Sequence, residues 1–225
     1  MTRSGLLEGR AHDVPWGDEW LAPEEQAVQA GLAVAKRRDD WRLGRWVAKR
    51  TVAAAVDLCL ATPQDASRIA VVAAADGAPE VSIDGFPAPL RLSISHRAGR
   101  GAAAVCDEGV ALGLDLELVE ARSPAFVREW LAPPEQTLVD SHPEPALVAN
   151  LVWAAKEASA KACREGLRLP VRRLVVEPVL DPADSGWQPV AVRFESRVLH
   201  GWWRADDGFV LVVVTEPASK PPARL

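Results

Sequence analysis

Asp115 and Glu117 stand two residues apart in the run Val110-Ala111-Leu112-Gly113-Leu114-Asp115-Leu116-Glu117-Leu118. The run alternates so regularly that Val110, Leu112, Leu114, Leu116 and Leu118 take one face of a strand and Gly113, Asp115 and Glu117 the other. Aspartate is uncommon in strands, and like charges on one strand face repel unless something neutralises them. A solvated face would tolerate them; a bound divalent cation would neutralise them. On residue type alone both readings stand. Gly113 beside them removes a side chain and lets another group come close. A third acid arrives in Trp153-Ala154-Ala155-Lys156-Glu157-Ala158-Ser159-Ala160-Lys161, where Trp153, Glu157 and Lys161 share one helical stripe at four-residue steps. An ordinary surface pair of Glu157 with Lys161 accounts for that spacing. The alanines around it also make the helix thin enough to lie on a sheet, with Trp153 holding Glu157 and Lys161 against it.

A second constellation is basic. Between Lys36 and Arg50 stand seven basic residues and two acids, Asp39 and Asp40, in a chain whose net charge is −5. The acidic total argues against general nucleic-acid binding, and a local basic stripe on such a chain suggests a confined anionic ligand. Arg38, Arg42, Arg45 and Lys49 recur at helical spacing, as a solvated face would. Arg45, however, falls beside an apolar stripe of Trp41, Ala48, Val52, Val56 and Cys59, where an arginine is costly unless it meets an anion.

The elements that must carry these residues show a repeat. Leu21-Ala22-Pro23-Glu24-Glu25-Gln26 returns as Leu131-Ala132-Pro133-Pro134-Glu135-Gln136, and Trp46-Val47-Ala48-Lys49-Arg50 returns at nearly the same offset as Trp153-Ala154-Ala155-Lys156-Glu157. Proline followed by glutamate marks a helix start, so each half has a helix-start motif followed by a long helix bearing Trp-x-x-Lys. Short β-like runs surround them at Ile69–Ala73, Leu90–Ser95, Ala102–Cys106, Val110–Leu118, Arg173–Val179, Val190–Glu195 and Phe209–Thr215, punctuated by Asp-Gly turns. Helices grouped beside mainly antiparallel strands predict an α+β fold. The halves are expected to meet near Glu108-Gly109, giving residues 1–109 and 110–215, with 216–225 a fraying tail. Apolar residues make up 48% of the 225, ample for a core. Cys59, Cys106 and Cys163 lack zinc spacing and read as reduced thiols. The chain shows neither a secretory signal nor a run of about 18 apolar residues, so a cytoplasmic protein without a membrane span is expected.

Gly113-Leu114-Asp115-Leu116-Glu117 followed by Trp153-x-x-Lys156-Glu157-x-x-x-Lys161 resembles the signature of the Sfp-type 4′-phosphopantetheinyl transferases. Ser93-Ile94-Ser95-His96, the Arg-rich segment from Lys36 to Arg50 and the turn Gly77-Ala78-Pro79 resemble further motifs of that family, so the likeness spans roughly residues 20 to 215. It implies a pseudo-twofold, duplicated α+β monomer that moves 4′-phosphopantetheine from coenzyme A to a serine of an acyl or peptidyl carrier protein, releasing 3′,5′-ADP. It further implies magnesium held by Asp115, Glu117 and Glu157, with Glu157 also a candidate base and Lys161 on the phosphate. Coenzyme A contacts are implied for Arg37, Arg45, Ser95 and His96, with Arg50 and Lys156 weaker candidates. Arg50 corresponds to Glu157 in the repeat, and Lys156 neighbours Glu157 but points away from it. The carrier is expected on residues 119–150, where Phe126, Trp130 and Leu131 are apolar. The family's basic residue near the Gly-x-Pro turn is missing here, and Arg97 follows His96 where a small residue is common. A magnesium-dependent phosphohydrolase, or an inert relative that binds coenzyme A or a synthase, is the alternative.

Overall fold

The computed structural model describes residues 4–164, 170–181 and 186–225. The chain divides into two compact units, residues 111–221 and residues 3–110 with 222–225. Both are mixed α and β, and among the described residues every strand pairing is antiparallel except one.

In the unit of residues 3–110, β1 (Ser4–Arg10), β5 (Leu90–Arg97), β6 (Arg100–Asp107) and β12 (Ala223–Arg224) form a sheet in the order β12-β1-β6-β5. β2 (Ile69–Ala73), β3 (Pro79–Ile83) and β4 (Phe86–Pro87) form a second sheet. Gly77, at φ 88°, turns β2 into β3 in the left-handed region that favours glycine. Helix α1 (Pro23–Ala30) precedes α2 (Ala35–Ala55), whose Leu43, Val47, Ala48 and Val52 are buried with Ala103 and Val105 of β6 in one core. The buried stripe is therefore rotated from the expected one: Val56 and Cys59 lie beyond the helix end and Val56 is exposed.

In the unit of residues 111–221, β7 (Ala111–Leu118), β8 (Val175–Pro178), β9 (Gln188–Phe194), β10 (Arg197–Asp206) and β11 (Phe209–Glu216) run in the order β7-β11-β10-β9-β8. Helices α3 (Pro124–Trp130), α4 (Pro133–Ser141) and α5 (Pro145–Ala162) complete it. The core joins Leu151, Ala154, Ala155 and Ala158 of α5 to Val210, Val212 and Val214 of β11. No described helix is long and apolar enough to cross a membrane.

The tail expected to fray carries a short strand. Ala223–Arg224 pairs in parallel with Gly5–Leu6, and Leu225 donates its N–H to the Leu6 carbonyl. The tail's prolines hide any strand pattern, and the unpaired edge of β1 supplies the hydrogen bonds that a local reading cannot foresee.

The sequence repeat has a physical meaning within each unit: a buried glutamate–lysine clamp. Lys49 of α2 meets Glu25 at 2.5 Å and donates to the Trp20 and Ala66 carbonyls. Lys156 of α5 meets Glu135 at 2.8 Å and donates to the Val171 and Leu174 carbonyls. Each glutamate closes the start of its own helix by accepting the Ala22 or Ala132 N–H, and reaches a strand by accepting the Val71 or Val176 N–H. All four side chains are buried. Burial pushes Lys49 and Lys156 down and Glu135 up, and the partner's charge opposes this. Such a pair contributes little net stability, but removing one member strands the other charge. Lys156, expected as a weaker coenzyme candidate, is thus committed to the interior of its unit.

Candidate active site

α5 lies directly on β7. A Cβ at Gly113 would stand 1.7 Å from the Ala158 carbonyl oxygen and 2.8 Å from the Ala162 nitrogen, so only glycine admits the helix. The alternation of β7 then puts Asp115 and Glu117 on the same face, beside the last turns of α5. Leu114 and Leu116, on the opposite face, are also buried. The solvated-face reading therefore fails for Asp115, which is 6% exposed.

Each of the three acids solves its charge differently. Asp115 Oδ1 accepts from Lys161 Nζ at 2.8 Å, and the same ammonium donates to the Leu114 carbonyl at 2.9 Å. Lys161 therefore reaches from α5 across to β7. Glu117 Oε2 accepts from Arg122 Nη2 at 3.0 Å. Burial pushes the Glu157 carboxyl up, Asp115 and then Glu117 add to this, and Lys161 opposes it. Glu157 Oε1 is buried without a hydrogen-bond partner among the described residues. The acids thus feel one another's charge.

Among the described residues, no three His, Cys, Asp or Glu side chains stand as a preformed metal-holding group. The donor chemistry nevertheless fits a hard divalent cation: three carboxylates on adjoining faces of β7 and α5, one of them with an orphaned buried oxygen. Two ion pairs, Asp115–Lys161 and Glu117–Arg122, hold the oxygens that such an ion would use.

The destabilised carboxylate has a measurable consequence. A raised carboxyl pKa means the folded state is favoured while Glu157 is protonated and loses that advantage as pH rises through the folded pKa. Glu157→Gln should therefore match the wild type in stability at acidic pH. Above the raised pKa it should melt a few degrees higher, a gain of about 1 kcal/mol or less for a partly exposed group. Melting curves of the metal-free proteins across pH check this, and a variant that melts lower at alkaline pH would contradict the strained carboxylate.

The basic constellation of the other unit is partly assembled. The Arg45 guanidinium lies over the Trp41 ring at 4.8 Å, and its Nε, 3.8 Å from Glu25 Oε1, is buried without a hydrogen bond among the described residues. Burial lowers its pKa and Glu25 opposes the shift. Glu25 is already engaged by Lys49, so Arg45 is under-compensated. His96 of β5 packs on α2 beside Gly44, where its ring carbon would be 3.3 Å from an added Cβ. Ser95 points to the opposite face of that sheet by strand alternation and is buried. Arg37 is exposed in the first turns of α2, roughly 12 Å along the axis from Arg45. Arg50 is half-buried, rotated well away from Arg45. The structure thus gathers Arg45, Trp41, Gly44 and His96 on neighbouring positions and leaves Arg37, Arg50 and Ser95 off that spot.

The apolar residues expected to meet a partner are largely internal. Leu131 is fully buried, and Phe126 and Trp130 are half-buried against Trp153 with ring centroids 5.2 and 5.5 Å from it. Trp153 therefore packs α5 against α3. Sequence reasoning missed Arg122 and Asn150. Asn150 Oδ1 accepts from Arg122 Nε at 2.7 Å, while its amide donates to the Glu120 and Ala146 carbonyls. An asparagine in the middle of an apolar helical run was the available signal, because a buried amide must find partners.

Residues 111–212 match the model of the 4′-phosphopantetheinyl transferase superfamily. No curated protein is similar enough to match the chain. Among solved structures, the chain is similar to Helicobacter pylori holo-[acyl-carrier-protein] synthase in complex with coenzyme A, at 16% identity and a TM-score of 0.35, over 45% of this chain and 96% of that one.

Proposed function

From a chain whose residues 111–212 match the model of the 4′-phosphopantetheinyl transferase superfamily, we propose an Sfp-type enzyme. It transfers 4′-phosphopantetheine from coenzyme A to a carrier-protein serine and releases 3′,5′-ADP. The observation that carries this reading is the gathering of Asp115, Glu117 and Glu157 on adjoining faces of β7 and α5, with Lys161 reaching between the two elements.

In this reading Asp115, Glu117 and Glu157 hold magnesium, which when bound neutralises charge on the coenzyme A diphosphate. Lys161, already directed at the carboxylates, turns its ammonium to the phosphate that departs with 3′,5′-ADP. Glu157, one of the three gathered carboxylates, is assigned as acceptor of the serine proton. The serine oxygen attacks the phosphorus of the pantetheine phosphate, its proton leaves to Glu157, and the bond to the 3′,5′-ADP oxygen breaks. Incubation with coenzyme A, magnesium and a panel of acyl and peptidyl carrier domains tests the class. A carrier mass gain of one phosphopantetheine supports it; release of inorganic phosphate without transfer favours a phosphohydrolase, and binding of coenzyme A without either favours an inert relative.

Arg45 is assigned to the 3′-phosphate, because its stacked, half-buried guanidinium has a buried Nε to satisfy. Arg45→Ala should raise KM for coenzyme A by about 10- to 100-fold, the worth of a charge-assisted hydrogen bond. It should change KM for 3′-dephospho-coenzyme A far less. Equal losses with both donors would remove the assignment.

A further inference from the structure

Arg122 lies in the connection between β7 and α3, five residues after Glu117, and the proposed chemistry gives it no task. Yet its guanidinium is held on three sides. Nη2 donates to Glu117 Oε2 at 3.0 Å, Nε donates to Asn150 Oδ1 at 2.7 Å, and the plane covers the Phe126 ring at 4.8 Å. Arg122 and Glu117 are each only 15% exposed in their side chains, and Asn150 is fully buried. Asn150 is itself fixed by two carbonyls, so the fork of Arg122 is aimed rather than free. A planar fork bridging a carboxylate and a buried amide is a built contact, unlike an exposed ion pair.

Resting on the metal reading above, we propose that Arg122 is a latch on Glu117: it neutralises this carboxylate while the site is empty and must release it to a divalent cation. Two positive groups among the described residues divide the work. Lys161 answers Asp115 and Arg122 answers Glu117, so that each of two acids on one strand face has a counter-charge within hydrogen-bond reach. A cation entering the site competes with Arg122 for the same oxygen. Arg122 is therefore a positioning residue that sets how tightly the site takes its ion, and its displaced guanidinium would then lie at the entrance to α3.

The sign of the effect separates this role from its alternative. If Arg122 merely orients Glu117 for the metal, its loss weakens cation binding, as loss of a supporting contact does. If it competes, its loss tightens binding. The test is calorimetric titration of the metal-free protein with Mn2+, without coenzyme A or carrier, comparing wild type with Arg122→Gln, Arg122→Lys and Asp115→Asn. Glutamine removes the charge but can still donate to Asn150. Arg122→Gln is expected to bind Mn2+ on the order of 10-fold more tightly, the scale on which a neighbouring charge moves an ionisation equilibrium. It should also melt lower than wild type without metal and recover that loss with Mn2+. Arg122→Lys, which keeps the charge, should stay near wild type and remains informative if the glutamine variant folds poorly: tighter binding by the lysine variant than twofold would overturn the charge argument. Equal or weaker Mn2+ binding by Arg122→Gln overturns the latch alone. Wild-type binding that Asp115→Asn leaves untouched, or no binding at all, overturns the metal reading and the latch with it.

Discussion

Gly113→Ala should unfold or severely destabilise the unit of residues 111–221, by more than about 3 kcal/mol, which is at the upper end of what one added methyl costs a packed interior. The reason is where the methyl goes. It would stand 1.7 Å from the Ala158 carbonyl oxygen and within 3 Å of the Ala162 nitrogen, and both are backbone atoms of α5 that no rotamer change can move. The helix must lift off β7, taking Glu157 and Lys161 away from Asp115 and Glu117. Gly101→Ala is the control. There the added Cβ meets only side-chain carbons, Leu43 at 3.0 and 3.3 Å and Val47 at 3.3 Å, which need give by a few tenths of an ångström, so a smaller loss of about 1–2 kcal/mol is expected. Urea denaturation of both variants checks the contrast, and a Gly113→Ala protein as stable as wild type would show that α5 does not lie on β7.

Two lysines five residues apart on α5 should fail in opposite ways. Lys161→Ala is expected to lower kcat by about 10²- to 10³-fold, the scale of one preorganised charge removed from a developing anion, with carrier binding nearly unchanged. Lys161 is a third exposed in its side chain, so leaving the buried Asp115 without it should cost less stability than the loss of Lys156 does. Lys156→Met should cost about 3–5 kcal/mol, because it leaves Glu135 buried without its counter-charge. Glu135→Leu in the same chain should recover much of that loss, since the pair and an apolar replacement are of similar stability. Single-turnover transfer to a bound carrier, with melting measured alongside, reads both. A Lys161→Ala enzyme that turns over normally would make Lys161 a partner of Asp115 and nothing more.

The sequence alone determined the elements that local chemistry controls. Alternation placed Asp115 and Glu117 on one strand face, and the glycine beside them marked a close approach. The proline–glutamate starts located α1 and α4, and the two Trp-x-x-Lys helices showed the repeat. These readings succeed because side-chain period and capping depend on neighbours in the chain. Strands β1 and β10 escaped, the first because its seven residues do not alternate, the second because His200 and Gly201 interrupt its apolar run. Only the tertiary structure decided which charged side chains are buried and with whom. Lys156 and Lys161 lie on one helix, yet one ends inside on Glu135 and the other reaches Asp115. Glu25 and Glu135, read only as helix starts, each reach a strand as well as a lysine. Arg122 finds Glu117 and Asn150 through a loop whose course no periodicity records. Such pairings depend on distances between elements, and a buried charge takes whichever partner packing brings within hydrogen-bond reach.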